Sequence, residues 1–350
     1  MFYRLTLLRL VTTAFASPYV MDFLPSPNPS GFNNASFSSW GGSVLLVEGQ
    51  YHLYASAFVG GCDLGSWGSN SVAIHAVGAT PVGPFAFVER ALPFYHHNVA
   101  PIRAPDGTFL IFSIGMFPDP VPAKCHGEEG GAPPQSQHGF ETIECWSAPA
   151  PSGPWTPLAG TLNGRNLFNG TNPAPAFDPS NNGTIYVMSH NNGNATLSVA
   201  DSWRGPYSAA RDLFPISQGD YTGEDPFLWW DGALPNAEGG VGAWRVLFHA
   251  YNRSATHTQV LVGGYAVSSG RSVWGPWALQ PWDTPAYTVN YTSYVSGGAG
   301  PTVTTQLSRR ERPKLFFDPA TGAPAVLYSG ACPLRSSDCF TLAAPIAPGR

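Results

Sequence analysis

Short apolar segments occur in pairs along this 350-residue chain, and a polar turn separates the two members of each pair. Five such units begin near Ser43, Pro101, Pro175, Pro226 and Pro313. Their turns are expected at Glu48-Gly49, Asp106-Gly107, Asn182-Gly183, Asp231-Gly232 and Thr321-Gly322. Strand-forming residues on both sides of a glycine-containing turn are typical of β-hairpins. The pattern therefore predicts five hairpins.

A second element follows the first four hairpins, and it extends each of them. It is a strand-like segment that ends in a Gly-Pro-aromatic tripeptide, at Gly83-Pro84-Phe85, Gly153-Pro154-Trp155, Gly205-Pro206-Tyr207 and Gly275-Pro276-Trp277. The spacing of the units leaves room for a fourth, outer strand in each. A composite unit that returns five times predicts an all-β, five-bladed β-propeller. A β-sandwich is the structural alternative, but it would not explain the repetition.

Composition agrees with this fold class. Glycine (39) and proline (35) make up about a fifth of the chain, which is incompatible with a helical bundle, and aromatic residues (13%) suffice for a sizeable core. Charged residues are only 11%, with a net charge of -5 and no basic stripe, so nucleic acid is not an expected partner. No shift in composition marks a second domain. We expect insertions at residues 117–140 and 283–308.

The first sixteen residues have the pattern of a signal peptide. Arg4 precedes an apolar stretch, and Ala14-Phe15-Ala16 fits a cleavage site, which leaves residues 17–350 as a single domain. A buried first strand or a membrane anchor is the alternative, but the stretch is too short to span a bilayer, and the mature chain has no other candidate span. Six Asn-x-Ser/Thr triplets support export and glycosylation, at Asn34, Asn169, Asn182, Asn194, Asn252 and Asn290. We therefore expect a secreted protein.

Five cysteines also point to an oxidising compartment. Cys332 and Cys339 bracket a short loop, and Cys125 and Cys145 bracket a longer polar segment, so each pair is expected to form a local disulfide. Cys62 is then left over, and the pairing among Cys62, Cys125 and Cys145 stays open. The spacings match no zinc site.

Candidate chemistry concentrates where the inner strands of the blades begin, because those residues would surround the mouth of the central funnel. Blade four contributes Glu224-Asp225-Pro226, and blade five contributes Arg309-Arg310-Glu311-Arg312-Pro313. In a chain with so few charges this clustering is unusual. Paired carboxylates around a concave pocket with an aromatic rim are the equipment of glycosidic-bond hydrolysis.

The repeated units, the GEDPFLW segment and the Gly-Pro-Trp corners resemble glycoside hydrolase family 43 and the wider five-bladed superfamily of arabinanases, β-xylosidases, levansucrases and invertases. The resemblance covers about residues 25–340. It implies a Glu general acid in a Glu-x-Pro motif, which Glu224 matches, with Asp225 as the alternative. It also implies an Asp base and an Asp modulator, but Gly41 and Asn98 stand at the aligned positions.

Two other carboxylates could replace the missing base. Glu311 lies in a second Glu-x-Pro motif next to Arg312, and Asp63 lies in the loop after the first hairpin. Candidate substrate-binding residues are Trp40, His97, Asn98, Asn172, His249 and Arg312, and Trp67, Trp229 and Trp230 are further possible sugar platforms. His75 and His190 are expected near the funnel. No cofactor is indicated, although a structural calcium ion in the axis stays open.

The sequence thus predicts a secreted hydrolase that acts on arabinose- or xylose-type carbohydrate, with an oligo- or polysaccharide as its partner. The first alternative is an inactive carbohydrate-binding propeller that has lost the base. The second is a cell-surface scaffold whose axis is plugged.

Overall fold

The computed structural model describes residues 18–122, 124–125, 140–160, 164–252, 261–336 and 338–348, so the predicted signal peptide lies outside the described residues. Within these ranges the chain is nearly all β, with one 3-10 turn (Leu64–Ser66) followed by a single-turn helix, α1 (Trp67–Asn70). No described helix has the length and apolar character that are needed to cross a bilayer.

The strands form five antiparallel sheets. Blade one contains β1 (Ser39–Val47), β2 (Gln50–Phe58), β3 (Ser71–Gly78) and β4 (Ala86–Arg90). Blade two contains β5 (His97–Arg103), β6 (Phe109–Phe117), β7 (Phe140–Ala148) and β8 (Thr156–Pro157), and β9 (Phe168–Asn169) also pairs with β7. Blade three contains β10 (Thr171–Asp178), β11 (Asn181–Asn191), β12 (Asn194–Ala200) and β13 (Arg211–Pro215).

Blade four contains β14 (Tyr221–Pro235), β15 (Val241–Asn252), β16 (Leu261–Ser268) and β17 (Trp277–Leu279). Blade five contains β18 (Asn290–Tyr294), β19 (Thr302–Phe317), β20 (Pro324–Pro333) and β21 (Phe340–Pro345). The prediction of a five-bladed β-propeller is confirmed. Its core consists of apolar clusters between neighbouring blades, such as Met188 and Leu197 of blade three against Trp244 and Phe248 of blade four.

The N-terminal segment closes the ring. Phe23 forms a β-bridge with Ile346 and Phe32 forms one with Thr341, so this segment lies along the outer edge of β21. The region 283–308, which we expected to be an insertion, is partly a hairpin, because β18 pairs with the first residues of β19. The rest of β19 is the inner strand of blade five and pairs with β20.

The Gly-Pro-aromatic corners all lie between the third and fourth strands of their blades. Each glycine has a positive φ, for example +76° at Gly83. A Cβ atom there would lie 2.8 Å from the Phe85 ring, so glycine is required for the aromatic side chain to fold back against the corner.

Two of the expected hairpin turns are wrong. In blade three the pairing continues to Asp178 and Asn181, and the turn is Pro179-Ser180, which Asp178 Oδ1 holds by accepting a hydrogen bond from the Ser180 amide (2.8 Å). In blade four the strands pair beyond Asp231 to Pro235 and Val241, so the turn spans residues 236–240. Local turn chemistry misled the prediction because Asp231 caps a bulge within β14, where its Oδ1 accepts from two following amides.

Two disulfides are present. The predicted bond Cys332–Cys339 is confirmed, whereas Cys125 bonds to Cys62 and not to Cys145. Cys145 is a free thiol in the middle of β7, buried in the cluster between blades two and three, where Cys125 cannot reach it. The two disulfides pack together around Trp40.

Candidate active site

A cavity of about 630 Å³ opens on the propeller axis, on the face where the inner strands begin. The second strand of each blade ends on the same face, because it runs antiparallel to the inner strand. All five blades contribute to the wall. The lining residues are Trp40, Asp63, Leu64, Gly65, Trp67, Ile114, Glu141, Thr171, Asn172, His190, Glu224, Asp225, Arg309, Glu311, Arg312, Cys332, Ser336 and Cys339.

One residue from each blade turns toward the axis through the same backbone irregularity. Every inner strand has a register shift at the same place, and the residue within it has a positive φ. These residues are Gly41 (66°), Asn98 (49°), Asn172 (56°), Asp225 (55°) and Arg312 (57°). Apart from glycine, Asn and Asp tolerate this left-handed conformation best. The five positions are therefore structural equivalents, and so are the residues that precede them, among them Glu224 and Glu311.

Hydrogen bonds join three of these equivalents at the floor of the cavity. The Asn98 side-chain amide donates to Asn172 Oδ1 (2.6 Å) and to Asp225 Oδ1 (3.1 Å). Asn172 Nδ2 in turn lies 3.2 Å from His190 Nδ1. Because all three residues are buried, the chain of contacts fixes blades two, three and four relative to one another.

Asp225 is the anionic centre of this network. His249 Nδ1 and Arg312 Nε lie 3.1 Å and 3.8 Å from its Oδ2 atom. Burial acts to raise the pKa of Asp225, but the Arg312 charge and the His249 hydrogen bond outweigh it and hold the pKa below its ordinary value. Burial lowers the pKa of His249, whereas Glu311 and Asp225 raise it, and the net shift is upward.

Glu224 and Glu311 project into the cavity from adjacent blades. Glu224 is half-buried, and the Tyr251 hydroxyl donates a hydrogen bond to its Oε1 atom (2.9 Å). Glu311 is more enclosed: Arg309 Nη1 lies 3.0 Å from its Oε1 atom, and His249 Nε2 lies 3.8 Å from its Oε2 atom. The two equivalent carboxylates thus have different surroundings, one facing a neutral hydroxyl and the other facing an arginine and a histidine.

Gly41, which stands where the sequence resemblance implies an Asp base, lies against Arg312. A Cβ atom on Gly41 would approach the Arg312 Cδ atom to 3.2 Å, so the stem of the arginine covers this side of blade one. The structure therefore provides no carboxylate from this position.

Aromatic residues and disulfides form another part of the cavity wall. Trp40 is almost fully buried and packs over Gly330, where a Cβ atom would lie 2.6 Å from the indole. Trp67 is half-buried and stacks on His97, with ring centroids 5.1 Å apart. The Cys62–Cys125 bond anchors the loop that carries Asp63 and Trp67 into the cavity wall.

The cavity brings together most of the residues that the sequence singled out. Glu224, Asp225, Glu311, Asp63, Trp40, Trp67, Asn172, His190 and Arg312 line it. Three others lie deeper, outside its lining: His97 and Asn98 are buried, and His249 is buried beneath Asp225. Trp229 is a core residue, and Trp230 packs on Trp244. His75 lies within blade one beside His52 and Glu89 and does not line the cavity.

Glu141 lines the cavity but was missed in the sequence. It is the second residue of β7 and follows the insertion after β6. Since β7 begins on the cavity face, an acidic residue at the start of this strand was the available signal.

The side chains of Glu224, Asp225 and His249 place ligand-type atoms within 4.8 Å of one another. Both Asp225 oxygens are already engaged, one by Asn98 and the other by His249, and the Arg312 guanidinium lies close by. A guanidinium at this distance opposes a second cation. The trio therefore does not fit a metal site.

The sequence matches no protein-family model and no curated protein. Among solved structures, an endo-arabinase from Bacteroides thetaiotaomicron is similar with a TM-score of 0.54 at 11% identity, over 94% of this chain and 98% of that one. The catalytic domain of a family 62 α-L-arabinofuranosidase from Coprinopsis cinerea is similar with a TM-score of 0.58 at 12% identity, over 95% of each chain. A thermostable family 43 glycoside hydrolase is similar with a TM-score of 0.58 at 13% identity, over 93% of each chain. This chain therefore has the five-bladed β-propeller fold found in glycoside hydrolases of families 43 and 62.

Proposed function

We propose that this protein is a secreted glycoside hydrolase that acts on arabinose- or xylose-containing carbohydrate, with Glu224 as its general acid. The observation that carries the proposal is the half-buried Glu224 carboxylate in an axial cavity that further carboxylates and aromatic residues also line. The similar solved structures support the substrate class, since they include an endo-arabinase and an α-L-arabinofuranosidase.

Hydrolysis at such a site needs one carboxylic acid to protonate the leaving oxygen and one carboxylate to act on the opposite side of the sugar ring. Glu224 suits the first task, because Tyr251 orients its carboxyl group while the rest of the group faces the cavity. Asp225 is less suited, because its surroundings keep it ionised and it is 1% exposed. From the sequence, Glu311 and Asp63 are the candidates for the second carboxylate.

The two disulfides support secretion, since such bonds persist mainly in oxidising compartments. Gly41 favours the alternative of a carbohydrate-binding propeller without activity, because the family's base is missing there.

A hydrolysis assay separates these functions. The secreted protein and its Glu224→Gln variant are incubated with arabino- and xylo-oligosaccharides and aryl glycosides, and new reducing ends are measured. Turnover by the wild type that the variant lacks is the expected result. Binding of these sugars without turnover by the wild type would favour the binding module.

A further inference from the structure

If Glu224 is the acid, the second carboxylate must come from elsewhere in the cavity. Blade one supplies a glycine at the expected position, and the Arg312 stem covers it. Among the described residues, four other carboxylates line the cavity: Asp63, Glu141, Asp225 and Glu311.

Three of these four are engaged by protein groups. Asp225 accepts a hydrogen bond from Asn98 at one oxygen, has His249 Nδ1 3.1 Å from the other, and is 1% exposed. Glu311 lies between Arg309 and His249, one at each oxygen. Asp63 caps the 3-10 turn of its own loop by accepting the Gly65 amide (2.9 Å). A carboxylate that is held by cations or by its own backbone is a poor acceptor for a water proton.

Glu141 differs from them. Its carboxylate is half-buried in the cavity wall and makes no hydrogen bond or ion pair with any described residue. Its backbone is fixed, because it pairs with Met116 in the sheet and its carbonyl accepts the Gly170 amide (3.4 Å). The backbone of Glu141 is thus held in place, while its carboxylate faces the cavity.

The position of Glu141 in the ring also suits a base. It belongs to blade two, so blade three lies between it and Glu224, whereas Glu311 lies in the blade directly next to Glu224. An inverting enzyme holds its acid and base on opposite sides of the sugar with a water molecule between base and ring, which requires well-separated carboxylates.

We propose that Glu141 is the general base of this site. The proposal rests on the proposed function. Glu141 takes a proton from a water molecule, whose oxygen forms the new bond to the anomeric carbon. The glycosidic C–O bond breaks, and the leaving oxygen takes the proton of Glu224. Glu141 ends protonated and Glu224 ionised, and exchange with solvent restores both. The product has the inverted configuration at the anomeric carbon.

The test compares the wild type with two variants of the proposed base, Glu141→Gln and Glu141→Ala, and with variants of the rival carboxylates, Glu311→Gln and Asp63→Asn. Glu48→Gln, at the exposed turn after β1, is the matched control. Hydrolysis rates are measured with and without sodium azide, and NMR gives the configuration of each product. We expect Glu141→Gln to lower kcat at least about 100-fold with little change in KM. Azide needs no deprotonation, so Glu141→Ala with azide should form the inverted glycosyl azide.

The outcomes are distinct. Turnover by Glu141→Gln within a few-fold of the wild type overturns the assignment, and so does a product of retained configuration. A loss of turnover without an azide adduct from Glu141→Ala also overturns it, since the residue would then be structural. Formation of the adduct by Glu311→Gln or Asp63→Asn instead would move the base to that residue. A wild type that hydrolyses nothing refutes the proposed function itself, and the assignment fails with it.

Discussion

His249 Nδ1 lies 3.1 Å from Asp225 Oδ2 at the floor of the cavity, where both residues are 1% exposed. This contact joins the two innermost strands of blade four, β14 and β15, and through Arg312 and Glu311 it extends to blade five. Contacts among ionisable side chains of blades four and five therefore stabilise the centre of the propeller. Each of these groups depends on the others, because an isolated buried charge is costly.

Replacement of Asp225 by asparagine keeps the shape of the side chain but removes the charge. Arg312 and His249 then lose their anion, and we expect a loss of about 3–5 kcal/mol in the free energy of unfolding. Urea denaturation measures it. Asp220→Asn, at an exposed turn, should change stability by about 0.5 kcal/mol or less. Equal effects of the two substitutions would contradict the role of Asp225 as the central anion.

Acid should destabilise the fold through His96. Burial lowers the pKa of this histidine to about 3, and Arg165 acts in the same direction. Between that value and 6.5 the unfolded chain binds a proton that the folded chain does not bind, so stability falls as the pH falls through this window. From pH 7 to pH 4.5 the contribution is about 2–3 kcal/mol. His96→Gln should show a correspondingly flatter dependence in urea denaturation, and an unchanged slope would refute the assignment.

An aspartate at position 41 should not restore a standard base. Gly41 has a φ of +66°, and its missing side chain would meet the Arg312 stem. We expect Gly41→Asp to cost about 1 kcal/mol, at the low end for a left-handed residue because aspartate tolerates this conformation, and to leave hydrolysis no faster than in the wild type. Thermal denaturation and the oligosaccharide assay check both parts. A gain in turnover would show that the cavity accepts a base from blade one.

The cysteine pairing predicts the behaviour of the thiols. The folded, non-reduced protein should show no reactive thiol, and the denatured protein should show one, at Cys145, because this residue is buried. Peptide mapping should find Cys125 linked to Cys62. Loss of that bond by paired serine substitutions should cost about 4 kcal/mol, against about 2.5 kcal/mol for Cys332–Cys339, because it closes the longer loop. A bond between Cys125 and Cys145 would contradict the structure.

The blades were predictable because their signals are local. Hairpin turns and the Gly-Pro-aromatic corners reflect backbone requirements within a few residues, as at Gly83. The same locality caused the errors, since Asp231-Gly232 has turn chemistry within a strand.

The details of the site could not be predicted from the sequence, because they depend on contacts between segments that are distant along the chain. Cys125 bonds to Cys62 because the two residues lie close together at the cavity face. This proximity depends on how blades one and two are arranged. Glu141 follows an insertion that shares no pattern with the other blades, so nothing in the repeat marks it. The sequence singled out His249 as a candidate substrate-binding residue. Its position between Asp225 and Glu311 could not be predicted, because Glu311 belongs to blade five.

The most direct test of the central claim concerns the leaving group. The wild type and Glu224→Gln are compared on an oligosaccharide and on the matching 2,4-dinitrophenyl glycoside, whose leaving group needs no protonation. If Glu224 is the acid, turnover of the oligosaccharide should fall about 100-fold or more, while turnover of the dinitrophenyl glycoside stays close to that of the wild type. An equal loss on both substrates, or no loss on either, would contradict the account.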